Sequence, residues 1–203
     1  MISVLLSFFN SVESINESLK SIRLNDIENS EIVLIDDASN DGFNEYLIDK
    51  KSVNVVFKKN EFNLGLPESL NKAFSLAKNE YIARMDADDI CEPNRFKLQL
   101  NYMLAHPEID ILGSNATLID MDSKVVGKTD VPLDHGSIIK ALKYRNPLIH
   151  PTIMMRRQVL EKLGGYDENL RKAQDLDLWH RAAKAGFKFA NLPSCLIQYR
   201  VDL

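Results

Sequence analysis

Residues Ile82 to Phe96 read IARMDADDICEPNRF, which places three aspartates in four positions directly after an apolar run. Carboxylates this close repel one another unless protons, water or a cation screens them. One of Asp86, Asp88 and Asp89 could cap the helix expected near Pro93, but a cap needs a single acid. A hard divalent cation accounts for the others, because Mg2+ or Mn2+ is typically held by one or two carboxylates together with substrate phosphates. The expected chemistry is therefore metal-assisted work on a phosphorylated ligand.

Other motifs narrow that reading. Counting twelve positions from Asp86 as an EF-hand would puts Cys91 where glycine is required and Lys97 where the closing glutamate belongs, so a calcium loop does not fit. Neither GxxxxGK nor GxGxxG occurs, which leaves no Walker or dinucleotide loop to grip phosphate. Asp36 and Asp37 form a second acidic pair in IDDASNDG; a local Asx-turn explains them as well as a ligand contact does.

The elements that must position these acids follow from periodicity. ISVLLS (2–7), EIVLID (31–36), VNVVFK (53–58) and EYIARM (80–85) read as strands alternating with amphipathic segments, the pattern of βαβ units and a parallel sheet. Val12, Ile15, Leu19 and Ile22 recur at helical spacing, with Asn10 as N-cap and Glu13 three residues on. Pro67 and Pro93 mark the starts of two crossover helices. From about Ile109 the alternation gives way to two strand-like runs around the MDS turn, then a helix at 138–144, a strand TIMMRR, a helix VLEKL closed by Gly164, and a helix DLDLWHRAAKAG. The expected fold class is α/β, a mostly parallel central sheet flanked by helices with a mixed-sheet C-terminal half. Ser7, Asp36, Asp37 and Asp86 to Asp89 then fall at carboxyl ends of strands, where open parallel sheets bind their ligands.

The bulk composition agrees with this class. A chain of 203 residues with 45% hydrophobic content can bury a substantial core. Its formal charge of −4 argues against a nucleic-acid partner. The locally basic stretch containing Lys140, Lys143, Arg145, Arg156 and Arg157 is read first as a solvated face and second as a surface for phosphate or anionic lipid. Cys91 and Cys195 form no metal-site spacing and are expected as reduced thiols. With no long apolar run and no signal-peptide pattern at the N-terminus, a cytoplasmic location is expected, and peripheral association with the inner face of the plasma membrane stays open.

Taken together, ISVLLSFFN, IVLIDDASNDG, NEFNLGLPESLNKAF, YIARMDADDICEPNRF, HPTIMMRR, LGGYDENL and AQDLDLWHRAAKAG resemble, in this order, the family 2 glycosyltransferases of the GT-A fold. These are inverting enzymes that use nucleotide-diphosphate sugars. The resemblance implies a single GT-A catalytic domain over 1–203, with a donor-binding half at 1–108 and an acceptor-side half at 109–203. It implies that Ser7 and Asp37 contact the nucleoside, and that Asn63 and Gly65 lie near the donor. Asp88 is then the metal ligand, with Asp86 directed at the ribose or metal waters. Asp175 is the implied catalytic base; Asp177, two residues on, cannot share its face. His150 and Trp179 are further candidates, each also readable as a structural residue. The partners implied are a nucleotide-diphosphate sugar, UDP being the expected nucleotide, and a saccharide or lipid-linked acceptor in surface polysaccharide synthesis. The transferred group would be a hexosyl or N-acetylhexosaminyl unit. The family commonly carries a YR-x-H segment whose histidine can complete the metal site. Here YRVDL sets Asp202 near that position, and the chain is expected to be part of a longer protein. A non-catalytic nucleotide-sugar-binding subunit is the alternative function.

Overall fold

The computed structural model describes residues 1–25, 28–44 and 54–202. Val53, at the start of the third expected strand, lies outside the described residues. The order is β1 (Ile2–Phe8), α1 (Ile15–Arg23), β2 (Glu31–Asp36), β3 (Asn54–Lys59), α2 (Leu66–Leu76), β4 (Tyr81–Arg84), β5 (Ile90–Cys91) and α3 (Arg95–Ala105). Then follow β6 (Ile111–Ile119), β7 (Val125–Lys128), α4 (His135–Ala141), a 3-10 turn (His150–Thr152), β8 (Met154–Arg156), α5 (Arg157–Leu163), α6 (Gln174–Lys184) and β9 (Phe189–Arg200).

Among the described residues these strands form one nine-stranded sheet in the order β3-β2-β1-β4-β8-β6-β9-β5, with β7 paired to β6. The first four are mutually parallel and the remainder mixed. Strand order reverses between β1 and β4, which puts the crevice of the sheet beside the carboxyl end of β4.

Alternation along the central strands divides the core into two layers. Val4, Leu6, Ile32 and Leu34 pack with Ile15, Leu19 and Ile22 of α1 and with Phe96, Leu100 and Met103 of α3. Leu5, Val33 and Ile35 face α2 and Leu178, Trp179 and Ala182 of α6. At roughly 1.5 to 3 kcal/mol for each large side chain taken from water, these layers supply most of the force holding the sheet.

Several boundaries differ from those read in the sequence. The first helix starts at Ile15, not after Asn10, because Asn10 adopts φ 52°, a left-handed conformation. Its side chain instead accepts the Asn40 N–H, and its own N–H donates to Ser39 Oγ, joining the loops after β1 and β2. Pro93 stands two residues before α3, whose N-cap is Asn94. Strand β9, twelve residues long, was hidden by Pro193 inside it. The register against β6 shifts at Ser114/Asn115 and again before Thr117, so the irregularity that proline needs is built into the pairing.

Within the basic stretch Lys140, Lys143 and Arg145 are exposed, whereas Arg156 and Arg157 are partly buried. Arg156 donates to the carbonyls of Ile109 and Met103, and Arg157 to that of Asn79, so both guanidiniums pin neighbouring segments beside the start of β4 and the end of β8. No helix among the described residues is long and apolar enough to cross a membrane.

Candidate active site

The DADD loop leaves β4 at the strand-order reversal and is tied down from three directions. Ser18 Oγ of α1 donates to the Asp86 carbonyl at 2.9 Å. Arg95, fully buried on α3, donates Nη2 to the Arg84 carbonyl at 2.9 Å. Arg200 at the end of β9 donates Nε to the Asp88 carbonyl and Nη1 to the carbonyls of Asp120 and Met121 in the β6–β7 turn. Such a loop can present several acids at once because its backbone is fixed by neighbours.

Ligand oxygens of Asp86, Asp88 and Asp89 all lie within 4.8 Å of one another. Burial, followed by the negative charge of Asp86, pushes the Asp89 carboxyl up to about 8, and the same two causes hold Asp88 above the ordinary carboxylate range. The repulsion anticipated from the sequence is therefore present in the fold. Arg84 partly relieves it: this buried guanidinium pairs with the Asp86 carboxylate from beneath.

Asp89 does not cap α3. Its Oδ1 accepts the Arg200 N–H at 2.9 Å, and its buried Oδ2 has no hydrogen-bond partner. An orphaned carboxylate oxygen beside two further acids is a hard-oxygen donor set, and it fits a divalent cation. Asp202 is exposed and stands outside the cluster.

A cavity of about 380 Å³ opens on one side of this loop, lined by Arg84, Asp86, Asn146, His150, Asp175 and Tyr199 among others. Asp175, on the first turn of α6, is half-buried there, and Asn146 Nδ2 donates to its Oδ2 at 2.6 Å. Asp177 turns away to Arg181 at 2.7 Å. A second cavity of about 500 Å³ is lined by Asn10, Asp41, Asp88, Ser123 and Arg200 among others. The acidic loop thus borders both spaces, with Asp86 on one and Asp88 on the other.

The remaining expected residues divide between site and scaffold. Ser7 is buried at the end of β1, one residue before Phe8, which pairs with Asp36. Asp36 turns to the Ser39 N–H and to Lys59, whereas Asp37 points the opposite way. The Asp37 carboxylate accepts from Asn60 Nδ2, the Leu64 N–H and the Gly65 N–H. It therefore anchors the Asn63–Gly65 segment; Asn63 itself is exposed.

His150 is buried, shares its Nε2 with Tyr166 Oη at 2.9 Å, and is held well below the ordinary imidazole value by burial and then by Arg84. It lines the 380 Å³ cavity as a neutral ring. Trp179 cannot floor an acceptor sugar, because it has no exposed surface and packs edge-on against His150 inside the core.

Residues 3–164 match the family model described as Glycosyl transferase family 2. The chain belongs to that family. This family 2 chain is 31% identical over 204 residues to the amylovoran biosynthesis glycosyltransferase AmsE of Erwinia amylovora, covering 98% of this chain and 76% of that one. It is 27% identical over 188 residues to the Escherichia coli UDP-Gal:alpha-D-GlcNAc-diphosphoundecaprenol beta-1,3-galactosyltransferase, covering 92% and 68%. The crystal structure of S. aureus TarS 1-349 in complex with UDP superimposes with a TM-score of 0.79 at 20% identity, over 99% of this chain and 60% of that one. The fold of this family 2 chain is accordingly that of the GT-A glycosyltransferases.

Sequence reasoning missed Arg84, Asn146, Tyr166, Tyr199 and Arg200. Arg84 carried a usable signal, a charge inside the otherwise apolar run YIARM, since arginine is rarely fully buried unless it is paired. Tyr166 lies within LGGYDENL, and Tyr199 and Arg200 open YRVDL at the end of β9, but their contacts with the acidic loop and its cavity come from distant parts of the chain, as does that of Asn146.

Proposed function

We propose that this glycosyltransferase is inverting and cation-dependent, and that it moves a hexosyl or N-acetylhexosaminyl unit from a UDP-sugar to a hydroxyl of a saccharide or lipid-linked acceptor in polysaccharide synthesis. The observation that carries the reading is the shared cavity of Asp86 and Asp175, with Asp88 and Asp89 adjoining. An acid loop suited to a cation and diphosphate borders the space that the Asp175 carboxylate also lines. The names of the two curated relatives support the polysaccharide and lipid-diphosphate context, and the UDP-bound structural neighbour supports the nucleotide.

In this reading Asp88 and Asp89 would hold Mn2+ or Mg2+, and Asp86, paired with Arg84, would face the ribose or the hydrated cation. Bound there, the cation would neutralise charge on the departing nucleoside diphosphate. Ser7, Asp37 and the segment that Asp37 anchors, through Asn63 and Gly65, border the nucleoside. Asp175 accepts the proton of the acceptor hydroxyl as that oxygen forms a bond to the anomeric carbon. The bond from the anomeric carbon to the diphosphate oxygen breaks in the same displacement, so configuration inverts. His150 stays neutral and orients polar groups of the sugar from the cavity wall.

The test is calorimetric titration of UDP, with GDP as competitor, into the wild type and Asp88→Ala, with and without Mn2+. Cation-dependent UDP binding that disappears in Asp88→Ala is the expected result. Absence of nucleotide binding with either Mn2+ or Mg2+ overturns the donor-site reading, and binding without turnover of any UDP-sugar identifies a non-catalytic binding subunit.

A further inference from the structure

Asn146 is exposed, yet its side chain has little freedom. Pro147 follows it and restricts its backbone toward extended conformations. Leu148, two residues on, is 2% exposed, and the Pro147 carbonyl accepts from Asn191 Nδ2 of β9 at 3.2 Å. The segment is thus fastened to the core immediately after Asn146. Within it, Asn146 Oδ1 accepts the Leu148 N–H at 3.2 Å. That bond determines which end of the amide faces outward, and the outward Nδ2 is the group 2.6 Å from Asp175 Oδ2.

Asp175 needs such a partner. The N-cap of α6, Ala173, has φ 56° and makes no side-chain capping bond, and no cation among the described residues pairs with Asp175. The groups around the same cavity are Arg84 and Asp86 from β4 and its loop, His150 from the 3-10 turn and Tyr199 from β9. Without a fixed donor, the aspartate at the cavity rim would sample its rotamers freely.

The geometry points to Asn146 as the positioning residue for Asp175: its amide clamps Oδ2 and leaves Oδ1 directed at the acceptor hydroxyl. This inference rests on Asp175 being the base under the proposed function. Asn146 touches no reacting atom. A neutral amide suits the task, because it stabilises the carboxylate without cancelling the charge that takes the proton.

The experiment uses the full chain labelled with 13C at aspartate carboxyls, with the Asp175 resonance assigned by Asp175→Asn. The expected result is that the Asp175 carboxyl resonance moves in Asn146→Ala, because the bond to its Oδ2 is lost. The isosteric Asn146→Asp keeps an oxygen for the Leu148 N–H but replaces the outward donor by a second carboxylate, so it moves the resonance as well. In turnover of UDP-galactose or UDP-N-acetylglucosamine, whichever the chain consumes, both variants lower kcat about tenfold to a hundredfold. The donor KM and the UDP affinity with Mn2+ stay within twofold of wild type. An unchanged Asp175 resonance in both variants overturns the inference, as does an unchanged kcat where Asp175→Asn abolishes turnover. Full turnover in Asp175→Asn would instead remove the base assignment, while the carboxyl resonance would still report whether Asn146 holds Asp175.

Discussion

The Gly65 N–H donates to Asp37 Oδ2 at 2.9 Å, joining the last turn before α2 to the carboxyl end of β2. Gly65 has φ 89° and ψ 165°, a region open essentially to glycine alone. A Cβ there would meet nothing closer than Pro67 Cδ at 3.9 Å, so any cost is conformational rather than steric.

Gly65→Ala is therefore expected to lose about 1–3 kcal/mol. It should also weaken UDP binding, because the Asn63–Gly65 segment moves with it. Thermal melts and UDP titration check both, and a variant with wild-type melting would mean that the segment relaxes at no cost.

Arg84 pairs with Asp86 while three acids crowd the same loop. Removing one partner of a buried pair costs about 3–5 kcal/mol. Arg84→Met should melt well below wild type in a chelator, and saturating Mn2+ should narrow the gap by screening the acids. Equal melting curves in the chelator would show that the pair does not offset the repulsion.

His150 gives a pH signature. Its folded pKa lies well below 6.5, so above pH 6.5 both folded and unfolded states carry the neutral ring and its contribution is fully present. As pH falls below 6.5 the unfolded chain takes up a proton that the folded ring refuses, and stability drops by up to about 1.4 kcal/mol per pH unit. Denaturant melts of wild type and His150→Gln between pH 7.5 and 5 should diverge, with the wild type losing more. Parallel curves would place the ring in contact with water.

Trp179 is the single tryptophan of the chain and is fully buried. Trp179→Ala should cost about 3–5 kcal/mol through the cavity it leaves. In the wild type its emission should be blue-shifted and should move to the red only on unfolding. Quenching of the native emission by acrylamide would contradict its place in the core.

The sequence by itself determined what depends on neighbours in the chain. Alternating β-branched runs gave the first strands, Pro67 marked the start of α2, and acids after apolar runs marked strand ends, because strand pleat, proline φ and charge repulsion act over a few residues. The order of family-like segments carried the family as well. Tertiary structure decided which of those groups meet. Asp175 and Asn146 are 29 positions apart and Arg200 lies 112 from Asp88, so no local pattern announces either contact. Asp89, one of three acids that could have capped α3, became a buried carboxylate with an unpartnered oxygen only because β9 crosses the loop and donates to its other oxygen. β9 stayed hidden because a proline strand is tolerated only where a neighbour accommodates the irregular register, and that neighbour, β6, lies far away in the chain.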